Sequence, residues 1–286
     1  MNYYLHRILF KSGFFKKVNC RVTTTIQGRK FIIPVIHEAG YHNLLPTESW
    51  LSVLLERFLP VKKGAFLDVG MNIGQTLLKV AAFDPGISYY GFEPNPLCYY
   101  TCYRLVAENQ LTTFQVFPVG LSDRANLLPL YMNKAYASGA TVLKDFRKNM
   151  EKFSLRINVP VFAGDSIRAL QDIGELAILK ADVEGAELEV IQGLTGIIGR
   201  THPIILLEIL PVYDRGSENG SYRKNREDAL IALLRSLGYE MFLIGESGGE
   251  LTPIAEIEVH SDLRKTNYCF IHQAESVLIS RVASGS

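Results

Sequence analysis

The sequence predicts an α/β fold in which a mostly parallel sheet of about seven strands is covered by helices on both faces. From residue 65 onward, short strands rich in aliphatic and aromatic residues alternate with helical stretches, as in sheets built from crossover helices. The first five strand segments are AFLDV, ISYYGF, TFQVFPV, LAILKA and PIILLEI. A helix that stops at Gly238 separates them from two more strand segments, YEMFLI and TNYCFIH.

Residues 1–46 precede this alternation, and we expect them to form a small N-terminal extension with a helix and a β-hairpin. CRVTTTIQGRKFIIPV, residues 20–35, alternates around Gln27, Gly28 and Arg29, which predicts two strands joined by a tight turn.

The main domain is predicted to span residues 47–275 and to be followed by a C-terminal tail at 276–286. Its first helix begins near Thr47 and stops at Pro60, because leucine and phenylalanine recur at the spacing of one helical face. Further helices are expected near 75–83, 95–108, 165–171, 186–194 and 226–237. The less regular segments at 133–156 and 211–225 are expected to be loops on the rim of a substrate site.

Charge and cysteine content narrow the class of protein. Thirty basic and twenty-nine acidic side chains give a net charge of +1, which provides no overall field to attract a nucleic acid. The four cysteines include no CxxC pair, and no apolar run reaches the ~20 residues of a membrane-spanning helix, so we expect a cytoplasmic protein. Residues 1–17 mix aromatic and basic side chains, a pattern compatible with peripheral membrane contact or with a helix packed on its own domain.

Acidic and glycine residues follow the first two strands, where ligands bind in open α/β sheets. The first strand ends at Asp68, and Gly70, Asn72 and Gly74 form a turn whose backbone can approach a ligand closely. The second strand ends at Glu93, which is placed to accept hydrogen bonds from the two hydroxyls of a ribose. A tight turn that binds no ligand is the alternative explanation of the glycines.

The glycine spacing separates two cofactor classes. A dinucleotide turn requires GxGxxG, because a pyrophosphate must approach a helix N-terminus, whereas this chain has GxxxG. The Asp68 carboxylate would repel a pyrophosphate but suits the ammonium group of a bound amino acid, so the pattern favours S-adenosylmethionine. After the third strand, Ser122 and Asp123 are candidates for binding the adenine edge, although an ordinary turn has the same residues.

A second polar cluster follows the fourth and fifth strands. Lys180, Asp182 and Glu184 lie where a strand ends and the next helix begins. Glu187 is explained equally well by the helix dipole, which favours acids in a first turn. Glu208 follows the apolar run IILL and is hard to explain as a solvated surface group.

Six segments carry a more specific resemblance: FLDVGMNIGQT, GFEPNPLCYYTCYRL, VGLSD, SGATVL, LKADVEGAELEVIQGL and HPIILLEI. In this order they resemble the FkbM family of S-adenosylmethionine-dependent methyltransferases, from about Thr47 to His272. The resemblance implies a Rossmann-like class I methyltransferase fold. It also implies cofactor contacts at Asp68, Gly70, Asn72, Gly74, Glu93, Ser122 and Asp123. Met71 occupies a position that is more often alanine in the family, a change that we expect to alter packing without abolishing binding.

We expect methyl transfer to oxygen. The chain lacks the DPPY-like block of amine methyltransferases and the Pro-Cys dipeptide of pyrimidine carbon methylation, and the resemblance implies a hydroxyl of a sugar, a lipid-linked glycan or a natural product as acceptor. A hydroxyl needs a general base or a metal ion. Asp182, Glu184 and Glu208 are candidates for either role, and Lys180 could tune a neighbouring pKa or bind substrate. No spacing is diagnostic of a metal site, so the need for a divalent metal stays open.

Two other functions stay open at this point. A nucleotide-dependent oxidoreductase would use the same sheet edge but is disfavoured by the missing GxGxxG, and a noncatalytic binding module could have the same fold. His37, His42, His202 and His260 could serve as a base, but a lone histidine in a loop is more often structural.

Overall fold

A computed structural model describes residues 10, 12–136, 139–146, 153–246 and 248–275 of the chain. The predicted tail at 276–286, most of the aromatic and basic segment at 1–17, and part of the expected rim at 133–156 therefore lie outside the described residues. Within the described part, no helix combines the length and the apolar composition needed to cross a bilayer.

The N-terminal extension contains a short helix and the predicted hairpin. Helix α1 (Phe14–Lys17) precedes strands β1 (Cys20–Ile26) and β2 (Arg29–Val35), which pair antiparallel along their whole length. Gln27 and Gly28 form the turn with φ angles of 46° and 80°, as a two-residue hairpin with the favoured twist requires. A small apolar cluster joins the helix and hairpin to the segment that follows: Phe15, Val22, Val35 and Tyr41.

Residues 47–275 alternate helices and strands as their periodicity predicts, and Phe31 and Ile33 of the hairpin pack into the same apolar cluster as the helices that follow. The first half consists of α2 (Ser49–Phe58), β3 (Ala65–Val69), α3 (Gln75–Phe83), β4 (Tyr89–Phe92), α4 (Pro96–Glu108), β5 (Phe114–Phe117), β6 (Gly120–Ser122) and β7 (Asn126–Met132). The second half consists of β8 (Leu155–Ala163), α5 (Arg168–Gln171), β9 (Leu176–Ala181), α6 (Glu187–Gln192), α7 (Thr195–Thr201), β10 (Ile204–Glu208), α8 (Glu218–Ser236), β11 (Tyr239–Ile244), β12 (Leu251–Pro253) and β13 (Asn267–His272).

The main sheet has eight strands in the order β12-β11-β13-β10-β9-β3-β4-β5. Strands β3, β4, β5, β9 and β10 are parallel to their neighbours in this set, whereas β13 runs antiparallel to both β10 and β11. All seven predicted strands are present, and the expected count is wrong by one because the three-residue β12 pairs with β11 at the sheet edge. So short a segment carries no period of its own from which a strand could be predicted.

Alternation along the central strands divides the apolar core into two layers. Phe66, Ile178 and Leu206 belong to a cluster with α2, α3 and α4, whereas their neighbours Leu67 and Leu179 belong to a cluster with α6, α7 and α8. Successive strand residues point to opposite faces, so both faces of the sheet are covered, as the unbroken apolar composition of these strands predicts.

The segment expected to be an irregular rim instead connects two strands of a second sheet. Strands β6, β8 and β7 form a three-stranded sheet in that order, with β7 and β8 antiparallel. Pro129 and Pro160 lie within these strands, and proline weakens a strand prediction because it cannot donate to the ladder. In the rim itself, Thr141 forms an isolated bridge with Tyr131.

Three helices differ from their predicted bounds. The helix expected at 165–171 covers only Arg168–Gln171 and is preceded by a separate 3₁₀ turn at Gly164–Ser166. Helix α8 begins at Glu218, so residues 218–225, which we expected to be loop, are helical. Ser217 caps this end by accepting a hydrogen bond from the Gly220 backbone N–H at 3.1 Å, and Arg223 lies over the ring of Phe146. The helix expected at 186–194 is followed directly by a further helix, α7, that the sequence did not reveal.

Candidate functional site

A cavity of about 310 Å³ lies at the carboxyl ends of β3, β4, β9 and β10. From β3 the chain adds β4 and β5 in one direction along the sheet, and β9 then pairs with the opposite edge of β3. The strand order therefore reverses between β3 and β9, and open α/β sheets bind ligands at the carboxyl ends of the strands at such a switch point. Eight predicted site residues line the cavity: Gly70, Asn72, Glu93, Ser122, Lys180, Asp182, Glu184 and Glu208. Asp68, Gly74 and Asp123 are not among its lining residues.

Gly70 allows the two central loops to meet. Its φ angle is 84°, and a Cβ atom at this position would lie 2.0 Å from the backbone oxygen of Asp182. Both the conformation and the close approach exclude an ordinary side chain. The turn after β3 therefore lies directly against the end of β9, with the cavity beside both.

Gly74 serves packing rather than the cavity. Its φ angle is 92°, and a Cβ atom there would lie 2.7 Å from Leu105 Cδ1 and 3.2 Å from Cys102 Sγ. Glycine at this helix start lets α3 approach α4. Gly74 is not among the residues that line the cavity, and its expected cofactor contact stays a prediction.

Glu93 joins the loops that follow β3 and β4. Its Oε2 accepts a hydrogen bond from the Asn72 backbone N–H at 2.8 Å, and its Oε1 accepts one from the Asn95 N–H at 2.8 Å. Burial raises the pKa of Glu93 to about 7, although both amides favour the ionised form. Each carboxylate oxygen keeps a second lone pair, so Glu93 can also accept hydrogen bonds from ligand hydroxyls.

Asn95 caps the helix that begins at this loop, as the Asn-Pro pair predicts. Its Oδ1 accepts from the backbone N–H groups of Leu97 and Cys98 at 3.0 and 3.4 Å, while its Nδ2 donates to the Ala135 carbonyl oxygen at 2.9 Å. The side chain thereby links α4 to the rim segment after β7, a connection that sequence spacing does not reveal.

Asp68 differs most from expectation, because its carboxyl group is completely buried beneath the cavity wall. Tyr89 Oη donates to Asp68 Oδ2 at 2.5 Å, and Oδ1 has no hydrogen-bond partner among the described residues. Burial raises the pKa of Asp68 to about 6, against the opposing charge of Lys180. Asp68 is therefore a buried partner of Tyr89 and is not among the residues that line the cavity.

The second sheet supplies an apolar wall next to Glu93. Its lining side chains are Leu121, Leu128, Leu130 and Val161, which together suit a flat, largely apolar ring. Ser122 lines the same end and donates from Oγ to Asp123 Oδ1 at 3.2 Å. Asp123 itself lies 3.7 Å from the Arg124 guanidinium, outside the cavity.

Lys180, Asp182 and Glu208 form a compact charged cluster at the opposite end. Lys180 Nζ donates to Asp182 Oδ2 at 3.3 Å. Burial alone would lower the pKa of Lys180, but the carboxylates around it, led by Asp182, raise it above its usual value. Burial, the Asp182 charge and a hydrogen bond to Asp182 raise the pKa of Glu208 to about 9, which favours its protonated form.

The turn after β9 is held by groups outside the cavity. Glu187 Oε1 accepts from the backbone N–H groups of Gly185 and Val183 at 3.1 and 3.3 Å, and burial raises its pKa to about 7. Thr141 Oγ1 donates to the Glu184 carbonyl oxygen at 2.9 Å. Glu187 therefore has the structural role that its place at the helix start suggested.

Several cavity residues have no signal in the sequence analysis. Glu48 precedes α2 with a φ angle of 42° and accepts from Lys79 Nζ at 3.0 Å, while Gln75 and Thr76 reach the cavity from the start of α3. Glu48 lies far in sequence from the glycine turn, and only the fold brings the two together.

The described part of the expected rim, residues 133–136, 139–146 and 153–156, contributes Ala140, Val142 and Leu143 to the cavity, whereas residues 211–225 contribute none. None of the candidate histidines lines it: His37 and His42 are exposed, and His202 stacks on His272 with ring centroids 3.7 Å apart. Among the described residues, no group of three or more histidine, cysteine, aspartate or glutamate side chains is placed to hold a metal ion.

The sequence matches one protein-family model and one curated relative. The model of the methyltransferase FkbM domain matches residues 68–241, more than half of the chain. Methyltransferase sdnD of Sordaria araneosa is 29% identical over 153 residues, which cover 45% of this chain and 59% of that protein. The matching region therefore spans less than two thirds of that relative.

Solved structures are similar at lower identity. Methyltransferase FkbM from Methylobacillus flagellatus aligns with a TM-score of 0.45 and 15% identity over 78% of this chain and 48% of that one. Fibrillarin from Aeropyrum pernix, solved with natively bound S-adenosyl-L-methionine, aligns with a TM-score of 0.40 and 14% identity over 88% of this chain and 82% of that one.

Proposed function

This chain belongs to the FkbM methyltransferase family, and from that membership we propose that it methylates a hydroxyl group of a sugar, a glycan or a natural product with S-adenosylmethionine. The observation that carries the proposal is the division of the cavity. A carboxylate that suits a ribose, Glu93, lies at one end, and the hydrogen-bonded pair of Asp182 and Glu208 lies at the other.

The cofactor end fits a nucleoside without phosphates. Glu93 would hold the ribose hydroxyls with the lone pairs that its backbone amides leave free. Leu121, Leu128 and Val161 would contact the adenine ring, and Gly70 would let the backbone approach the amino-acid portion. When bound, S-adenosylmethionine supplies the methyl group that the acceptor oxygen takes in exchange for its proton, which leaves S-adenosylhomocysteine.

We propose that Asp182 is the general base that accepts the proton of the acceptor hydroxyl. The side chain lies on the cavity wall, where Lys180 and Glu208 both hydrogen-bond to it and restrict its orientation. Burial raises the pKa of Glu208, which favours Glu208 as the partner that holds a proton and Asp182 as the base of the pair. Correct placement of base and acceptor supplies the remainder of the rate enhancement.

The test is to incubate the protein with deuterated-methyl S-adenosylmethionine and mixtures of monosaccharides, glycans and hydroxylated natural products, followed by mass spectrometry. We expect an acceptor to gain a CD₃ group whose ¹³C chemical shift identifies an O-methyl ether. Labelling of nitrogen or carbon would contradict the choice of oxygen. Cofactor binding without any labelling would favour a noncatalytic module, and tight NADH binding with no affinity for S-adenosylhomocysteine would favour an oxidoreductase.

A further inference from the structure

A second cavity, of about 470 Å³, lies between the N-terminal hairpin and helices α2 and α3. We refer to it as the extension groove. Hydroxyl and amide side chains dominate its polar lining: Thr24, Thr25, Asn43, Thr47, Ser49 and Ser52. Such groups can both donate and accept hydrogen bonds, and their number in one groove matches the needs of a ligand with several hydroxyls.

The two charged side chains that line the groove neutralise each other. Lys79 is 7% exposed, and its Nζ donates to Glu48 Oε2 at 3.0 Å and to Thr47 Oγ1 at 3.3 Å. Because the ammonium group is already paired with a carboxylate, the groove offers little attraction to a phosphate or another anion. A neutral ligand fits this arrangement better.

Asn43 adds a polar group whose capacity is only half used. It is 5% exposed, and its Nδ2 donates to the Ile73 carbonyl oxygen at 2.7 Å. Its Oδ1 is buried and has no hydrogen-bond partner among the described residues. A buried acceptor without a donor costs free energy, so a rotation of the Asn43 amide that brings Oδ1 to a ligand hydroxyl in the groove would be stabilising.

The groove adjoins the cavity at the strand ends. Glu48 and Gln75 line both, so these two side chains form the partition between them. A ligand with two or more linked units that passes over these two side chains would occupy the groove with one unit and present the next unit to the cavity that Lys180 and Asp182 line.

We propose that the extension groove binds a neutral polyhydroxylated unit, such as a sugar residue, that neighbours the methylated position of the acceptor. The proposal rests on the function proposed above, because it identifies the chemical class of part of that acceptor. It also gives the N-terminal extension a role in substrate selection, since β1 supplies Thr24 and Thr25.

The test uses the full chain and the methyl glycosides of glucose, galactose, mannose and rhamnose as probes, with binding detected by saturation-transfer NMR. Thr24→Val removes one hydroxyl from the groove while keeping the shape of the side chain, and Ser52→Ala removes another from α2. Thr23→Val is the matched control, because Thr23 is exposed and does not line the groove. S-adenosylhomocysteine affinity is measured by calorimetry on every variant.

We expect at least one glycoside to bind, and each groove variant to weaken it about threefold to tenfold, as the loss of a neutral hydrogen bond predicts. Thr23→Val should leave glycoside binding unchanged, and all three variants should bind S-adenosylhomocysteine normally. Failure of every glycoside to bind a protein that still binds S-adenosylhomocysteine would overturn the groove assignment alone. Tighter binding of inorganic phosphate than of any glycoside would overturn the choice of a neutral ligand, and a wild-type protein without S-adenosylhomocysteine affinity would instead contradict the proposed methyl transfer.

Discussion

Glu208 lies beside Asp182 at the ends of two neighbouring parallel strands, because the register of the sheet pairs Leu207 with Ala181. Burial and the Asp182 charge raise the pKa of Glu208 to about 9, and Lys180, on the neighbouring strand β9, donates to Asp182. The proposed base is thus held between a protonated acid and a cation, and this arrangement leads to the first two predictions.

Asp182→Asn should reduce kcat/KM for the acceptor that the labelling experiment identifies by at least about a hundredfold, the usual contribution of a general base. The affinity for S-adenosylhomocysteine should change little, because the variant keeps the size of the side chain. Steady-state kinetics and calorimetry measure the two quantities. Asp172→Asn, at an exposed aspartate paired with Arg168, is the control and should behave as wild type; equal activity of the two variants would contradict the assignment.

Glu208→Gln should alter how stability depends on pH. The pKa of Glu208 is raised from 4.5 to about 9 in the folded protein, so the folded state holds a proton that the unfolded chain releases above about pH 4.5. Its contribution to stability is fully present below that pH and is lost as the pH rises towards 9. Between pH 5 and pH 9, the free energy of unfolding measured by urea denaturation should therefore fall less in Glu208→Gln than in wild type. If it fell by the same amount in both proteins, the raised pKa of Glu208 would be contradicted.

Glu93→Ala should weaken S-adenosylhomocysteine binding by about tenfold to a hundredfold, since hydrogen bonds to a charged group contribute about 1.5–3 kcal/mol. Isothermal titration calorimetry gives the affinity, and circular dichroism checks that the variant folds. Glu56→Ala, at an exposed glutamate on α2, supplies the comparison. Unchanged affinity in a folded Glu93→Ala protein would rule out the ribose contact.

Gly70→Ala should destabilise the protein by more than about 3 kcal/mol, because positive φ alone costs an alanine about 1–2 kcal/mol and the clash adds to it. A Cβ atom at Gly70 would meet the Asp182 backbone oxygen at 2.0 Å, whereas one at Gly28, which has a similar φ angle, would meet nothing within 4 Å. Gly28→Ala therefore measures the conformational cost alone. If urea denaturation gave equal losses of unfolding free energy for the two variants, the close approach of Gly70 to the Asp182 backbone would be contradicted.

The locally coded parts of the molecule could be predicted from the sequence. The hairpin turn at Gln27 and Gly28, the cap at Asn95 and the five parallel strands each depend on residues within a few positions of one another. Apolar periodicity and turn chemistry act over the same short range. The strand ends at Glu93 and Glu208 were placed correctly for this reason, and the parallel topology brought both to one edge.

The second sheet and the start of α8 were missed because local signals there oppose the final structure. Pro129 and Pro160 weaken the pattern of β7 and β8, which persist because they pair with each other over seven residue pairs. The first turns of α8 are polar and contain Gly220, and they are stabilised by the Ser217 cap and by Arg223 over Phe146. Tertiary contacts outweighed weak local propensity in both cases.

By itself, the sequence determined the order of seven of the eight strands of the main sheet, the glycine turn, and which acidic residues would end the central strands, because hydrophobic period and backbone conformation are encoded locally. Only the tertiary structure decided that Asp68 is fully buried and absent from the cavity lining, that Glu208 and Asp182 lie side by side, and that Glu48 lines both the cavity and the extension groove. Those outcomes depend on burial and on distances between residues far apart in the chain, and both quantities exist only once the sheet has formed.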